Sequence, residues 1–172
     1  MKRMLIGSIC LIHLLLATAV ASAADKQIIF VVRHAERADA GSADARSMSA
    51  DPPLSAAGKA RAERLAAMLR DAHVVQVFTT ELRRTRETAA ALATAAHVEP
   101  VPVPSKDVDG LVARVTATNG ASLIVGHSNT VPEILKKLGV SEPVHIDDEQ
   151  FGDLFVVVRG DPGDVTLVKL KY

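Results

Sequence analysis

Cysteine is all but missing from this chain: its single example, Cys10, sits inside an apolar N-terminal run. Once that run is removed, no disulfide, thiol nucleophile or thiolate metal site is available, and stability must come from packing. Tryptophan is absent and aromatic residues make up only 3%, which argues against a stacking platform for nucleic-acid bases. An excess of one charge is lacking too. Twenty basic and twenty acidic side chains give a formal net charge of +0, so no global field draws the chain to nucleic acid or an anionic membrane. Any anion selectivity must therefore come from a local cluster. What is present is ample apolar material, 48% of 172 residues, enough for the core of one ordinary domain.

The N-terminus reads as an address. Lys2 and Arg3 precede an almost wholly apolar stretch from Met4 to Val20, and Ala21-Ser22-Ala23 supplies the small residues of a cleavage site. A signal peptide over 1–23 is expected, with Ala19-Val20-Ala21 as a second cleavage option, leaving a single domain over 24–172. The competing reading is a membrane anchor, because the run is near the lower limit for spanning. The small-residue end and the lack of a basic stop-transfer cluster favour removal, hence a periplasmic or secreted protein without a stable membrane anchor. Cys10 interrupts the apolar run instead of following it, unlike a lipoprotein acceptor.

The organising stretch is Ile28-Ile29-Phe30-Val31-Val32-Arg33-His34-Ala35-Glu36-Arg37. Five apolar residues, mostly β-branched, predict a strand buried on both faces that ends in a knot of charge. A small-residue loop follows over 38–53, then a helix capped by Ser55 with a stripe of Ala60, Leu65, Met68 and Leu69. Strands are predicted over 74–78, 98–103 and 122–125, with helices after about 80, over 107–118 and over 132–138. Pro100, Pro102 and Pro104 suit the third strand to an edge. Segments 154–158 and 165–170 flank Asp161-Pro162-Gly163-Asp164 as a terminal hairpin. The fold class is thus α/β: a three-layer sandwich with a mostly parallel central sheet, helices on both faces and a C-terminal antiparallel hairpin.

Three of these strands run into polar residues of one chemical kind: Arg33 and His34, then Arg83 and Arg84 beyond Thr79-Thr80, then His127. In a parallel sheet the carboxyl ends share an edge, where ligands bind. Guanidinium and imidazole groups converging there make a phosphate pocket, since arginine's planar fork matches phosphate oxygens. No cysteine remains and no serine lies in a Gly-x-Ser-x-Gly elbow, so a neutral imidazole, His34, is the candidate nucleophile. His127 and the arginines would stabilise charge on the equatorial oxygens.

Arg33-His34-Ala35-Glu36, Leu54-Ser55-Ala56-Ala57-Gly58, the run from Thr80 to Ala89, and Gly126-His127-Ser128 together resemble the ordered motifs of the histidine phosphatase superfamily, also called phosphoglycerate mutase-like. The resemblance implies a phosphomonoester hydrolase with His34 as the phosphorylated group and Arg33, Arg84 and His127 completing the pocket. Arg84 matches the family position; Arg83 and Arg86 are read as the wet face of a helix. It also implies that Ser55 and Gly58 are structural, that no cofactor is needed, and that a carboxylate after the third strand protonates the leaving alcohol.

For that acid Asp107 is the first candidate, with Asp109 and Glu81 behind it; a helix cap is the bland alternative for Asp107. The histidine acid phosphatase branch instead places Asp directly after its second histidine, where this chain has Ser128. Arg37 is a candidate substrate contact. Zinc is not expected, because the two histidines lack a close third ligand. His13, His73, His97 and His145 are read as incidental. The expected substrate is a phosphorylated small molecule or a cell-envelope phosphosugar. A phosphohistidine protein phosphatase acting on a phosphoprotein and a non-catalytic phosphate-binding module are the alternatives.

Overall fold

The computed structural model describes residues 26–39, 51–160 and 163–172. The expected signal peptide, with Cys10 and His13, lies outside the described residues, as do positions 40–50 of the small-residue loop and Asp161-Pro162 of the hairpin turn. In chain order the elements are β1 (Gln27–Arg33), α1 (Ala56–Met68), β2 (Val74–Thr79), α2 (Arg83–Ala96), β3 (Val101–Pro102), α3 (Val108–Thr116), β4 (Ala121–Gly126), α4 (Thr130–Lys137), β5 (Asp153–Arg159) and β6 (Val165–Lys171). No helix among the described residues is long and apolar enough to cross a membrane.

The sheet order is β3-β2-β4-β1-β5-β6. Strands β1 to β4 are mutually parallel where they pair, and β5 and β6 join antiparallel. Alternation along β1 explains its central place: Ile29 and Val31 enter the core under α3 and α4, while Phe30 and Val32 enter the one under α1 and α2. All six residues of β4 are buried, as a strand covered on both faces requires. The observed form is the expected three-layer α/β sandwich with its antiparallel pair at one edge.

Three local expectations change. The third strand shrinks to Val101–Pro102, because the prolines around it cannot donate to a ladder; it keeps its place at the edge. The last helix begins at Thr130, two residues before Pro132, which takes the third position of its first turn. Helix α1 is rotated from its predicted face: Ala60 and Met68 are exposed, while Gly58, Ala62, Leu65 and Ala66 are buried. The Ser55 hydroxyl caps it, accepting from the Gly58 amide at 3.0 Å. Its rotation is set by Gly58, which lies against the backbone of Glu36 so closely that a Cβ there would stand 2.2 Å from the carbonyl oxygen.

Candidate active site

Topology brings the polar strand ends together. Arg33 closes β1 opposite Gly126 of β4, and the His34 amide continues the pairing onto the Gly126 carbonyl at 2.9 Å. β2 ends beside them at Thr79. Because β5 runs against β1, its amino end and the residues before it reach the same edge. An open cleft of about 680 Å³ lies there, with Arg33, His34, Arg84 and His127 on its walls.

His34 is 5% exposed, and its ring is oriented from one side. Nδ1 lies 2.8 Å from the Ala35 carbonyl oxygen. A carbonyl only accepts, so Nδ1 carries the hydrogen and the Nε2 lone pair is left free. The Ala35 amide donates to Thr88 Oγ1 at 2.9 Å, tying this turn to α2. Glu36 points away from the chemistry: its carboxylate takes a forked ion pair from Arg61, as close as 2.6 Å, fastening the turn to α1.

The His127 ring meets the His34 ring edge-on, with centroids 5.3 Å apart. Thr80 Oγ1 stands 3.2 Å from His127 Nε2, and the His127 amide donates to Thr130 Oγ1 at 2.9 Å, so the residue is held by the turn after β2 and the start of α4 together. Nδ1 of His127 and the Nε atoms of Arg33 and Arg84 are buried without a hydrogen-bond partner in the protein. Leaving a guanidinium N–H unpaired costs about 1–3 kcal/mol. Two guanidiniums and an imidazole on the walls of one cleft form a set that suits an oxyanion.

Other candidate residues fall elsewhere. Arg83 is turned outward, its Nε 2.5 Å from Glu87 Oε1, and Arg86 is exposed. The Arg83 amide donates to both Asp51 carboxylate oxygens at 2.8 Å, so Asp51 serves the α2 N-terminus in place of a capping side chain on Leu82. Arg37 does line the cleft, with Nε 3.0 Å from Asp39. Asp107 is not brought into it. Its Oδ1 accepts from the Gly110 amide at 2.9 Å as the N-cap of α3, beside a cavity of about 10 Å³ with room for little more than a water. Asp109 pairs with Lys137 at 2.6 Å. Glu81 accepts from the Ser105 amide at 3.0 Å and its hydroxyl at 3.2 Å. Burial works against the Glu81 carboxylate, yet these bonds and its own amide outweigh that and hold it below its usual range. Among the described residues no group of three or more His, Cys, Asp or Glu side chains could hold a metal ion.

One wall was not found by reading strand ends. The segment just before β5 contributes Asp148, Glu149 and Phe151 to the cleft. Arg33 donates through one terminal nitrogen to the carbonyls of Asp147 and Gln150, at 2.8 and 3.0 Å, and its guanidinium lies 4.2 Å from the centre of the Phe151 ring. The signal was available: an antiparallel strand beside parallel ones presents its amino end at their carboxyl edge.

Burial is the largest influence on both imidazoles. It pushes His34 down to about 3, against the pull of the Ala35 carbonyl and with help from His127, Arg84 and Arg33. It pushes His127 down to about 4, with Arg84 and Arg33 assisting and Glu81 opposing. Both rings are thus neutral at neutral pH, the form a nitrogen nucleophile needs. Below about 6.5 the unfolded chain protonates these histidines and the folded one does not, so folding free energy present above 6.5 is lost as pH falls towards 3–4. Denaturant titrations across that window should show a shallower acid slope in His34→Ala and His127→Ala than in the parent. Equal slopes would contradict the origin assigned here.

Residues 29–105 match the model of the histidine phosphatase superfamily (branch 1). The matched span holds Arg33, His34 and Arg84 and stops before His127. No curated protein sequence matches the chain. Solved structures share the fold. The protein histidine phosphatase SixA complexed with tungstate is 16% identical, with a TM-score of 0.67 over 84% of this chain and 96% of its own. A phosphoglycerate mutase from Bacillus anthracis str. Sterne is 13% identical, with a TM-score of 0.65 over 86% of this chain and 94% of its own. A mycobacterial glucosyl-3-phosphoglycerate phosphatase is 13% identical, with a TM-score of 0.63 over 86% of this chain and 98% of its own.

Proposed function

We propose that this chain is a phosphoric monoester hydrolase of the histidine phosphatase superfamily, exported to the periplasm or beyond, which passes a phosphoryl group to His34 and then to water. The observation that carries the reading is the His34 tautomer: Nδ1–H is committed to the Ala35 carbonyl, which leaves Nε2 as a lone pair in a cleft edged by the Arg33 and Arg84 guanidiniums. His34 Nε2 attacks phosphorus, the bond from phosphorus to the ester oxygen breaks, and the leaving oxygen takes up a proton. Water then attacks the phosphohistidine and returns the lone pair to Nε2. Arg33, Arg84 and His127 bind the equatorial oxygens, where transition-state charge is spread. No step calls for a cofactor.

The substrate proposed is a phosphorylated small molecule or a cell-envelope phosphosugar, since the cleft is open and admits a bulky alcohol portion. The same openness favours, as a second reading, a phosphohistidine protein phosphatase. The deciding experiment is a phosphoester panel on the mature chain, with phosphorylated protein included and His34→Ala as control. Phosphate release that needs His34, together with a detergent-quenched label on that residue that survives alkali and is lost in acid, is the expected result. Binding of phosphate with neither release nor label would overturn the hydrolase in favour of a phosphate-binding module.

A further inference from the structure

The hydrolase reading leaves the proton for the leaving alcohol without a source, and we propose that Asp148 supplies it. This inference rests on that reading. A general acid must stand in the cleft, within reach of the ester oxygen, and must be free to carry a proton. Asp107 and Asp109 stand outside it, one capping α3 and the other paired with Lys137. Glu81 is not on the cleft wall, its two carboxylate oxygens being held by the Ser105 amide and hydroxyl. The carboxylates on the cleft wall, among the described residues, are Asp148 and Glu149.

Geometry separates these two. Asp148 Oδ1 accepts from the Ser128 hydroxyl at 3.4 Å, which sets the carboxyl beside the residue that follows His127. Oδ2 remains to hold and release the proton. Both side chains are exposed, but Glu149 has no hydrogen bond or ion pair among the described residues. The segment bearing Asp148 is also fixed to the phosphate pocket, because Arg33 bonds the carbonyls on either side of it and stacks on Phe151. A carboxyl carried by the loop before β5 thereby reaches the neighbourhood of the second histidine, although Ser128 occupies the adjacent position in sequence.

The proton balance closes over one cycle. When the bond from phosphorus to the ester oxygen breaks, the Asp148 carboxyl gives its hydrogen to that oxygen. When water attacks the phosphohistidine, the Asp148 carboxylate accepts the hydrogen that water loses, and the acid is restored.

The test is the dependence on the leaving group in Asp148→Asn, with Asp148→Glu, Glu149→Gln and Glu81→Gln in parallel. A dinitrophenolate departs without a proton, and an alkoxide does not. In kcat/KM, which reports phosphoryl transfer to His34 and not the later hydrolysis common to both esters, Asp148→Asn is expected to lower the value for an alkyl phosphate by about 10²–10⁴-fold and that for dinitrophenyl phosphate by less than about tenfold, with partial recovery in Asp148→Glu. An equal fall on both esters would make Asp148 a merely structural residue, and a selective loss in Glu149→Gln or Glu81→Gln instead would move the acid there. Either result overturns the inference while His34-dependent turnover of the dinitrophenyl ester keeps the hydrolase standing. Absence of that turnover in the parent chain would bring down both.

Discussion

Replacing His34 by alanine is expected to remove turnover altogether, a loss on the order of 10⁴-fold or more, because it removes the imidazole whose Nε2 lone pair is free to accept the phosphoryl group. Arg84→Ala should cost less, about 10²–10³-fold, since it removes one donor to the equatorial oxygens and leaves the attacking nitrogen in place. The difference in kind matters more than the difference in size. Without His34 the alkali-stable label disappears, whereas without Arg84 it should still form, slowly. His34→Ala should also remain folded. The backbone bond from residue 34 to Gly126 and the ladder between β1 and β4 do not use the imidazole, and the turn stays tied to Thr88 through the Ala35 amide. Far-ultraviolet dichroism and a denaturant titration would establish that before rates are compared. Comparable phosphate release from parent and His34→Ala on every ester would refute the phosphohistidine route.

The reason so much rests on one imidazole is legible in the chain itself. Ile28 to Val32 is an uninterrupted apolar run ending at Arg33-His34, and in the fold it becomes a central strand whose end opens on the cleft. The clusters at Arg84 and His127 join it because parallel strands end on one edge, a consequence of topology that spacing alone can convey. Two features were less visible. Helix α1 has alanine at 56, 57, 60, 62, 66 and 67, so apolar periodicity hardly distinguishes its faces; a contact of Gly58 with another segment sets the rotation. The stretch that carries Asp148, Glu149 and Phe151 has no motif or apolar periodicity to mark it. It reaches the site because β5 is antiparallel to β1, a relation that becomes informative only when the hairpin and the cleft are considered together.

Gly58 shows how closely fold and site are coupled, and Gly58→Ala is the substitution expected to do most harm for a single methyl group. In an isolated helix the change would help, by about 1 kcal/mol. Here the added carbon would stand 2.2 Å from the Glu36 carbonyl oxygen and 3.0 Å from the Glu36 nitrogen. Both are backbone atoms in the turn that begins at His34, so no side chain can swing aside. Relief requires α1 to retreat, which lengthens the bond from the Ser55 amide to the Glu36 carbonyl, now 2.9 Å, and pulls Arg61 from the Glu36 carboxylate. Overpacking of this kind costs about 1–3 kcal/mol and the lost contacts add to it, so a net destabilisation of about 2 kcal/mol is expected. Activity should fall as well under conditions where the variant is fully folded, because the displaced turn carries His34. Ala57→Gly is the useful comparison: position 57 is exposed, so it should lose about 1 kcal/mol of helix propensity and leave turnover alone. A Gly58→Ala variant as stable as the parent would mean that α1 can move away freely. The close approach to Glu36 would then have no part in holding the His34 turn.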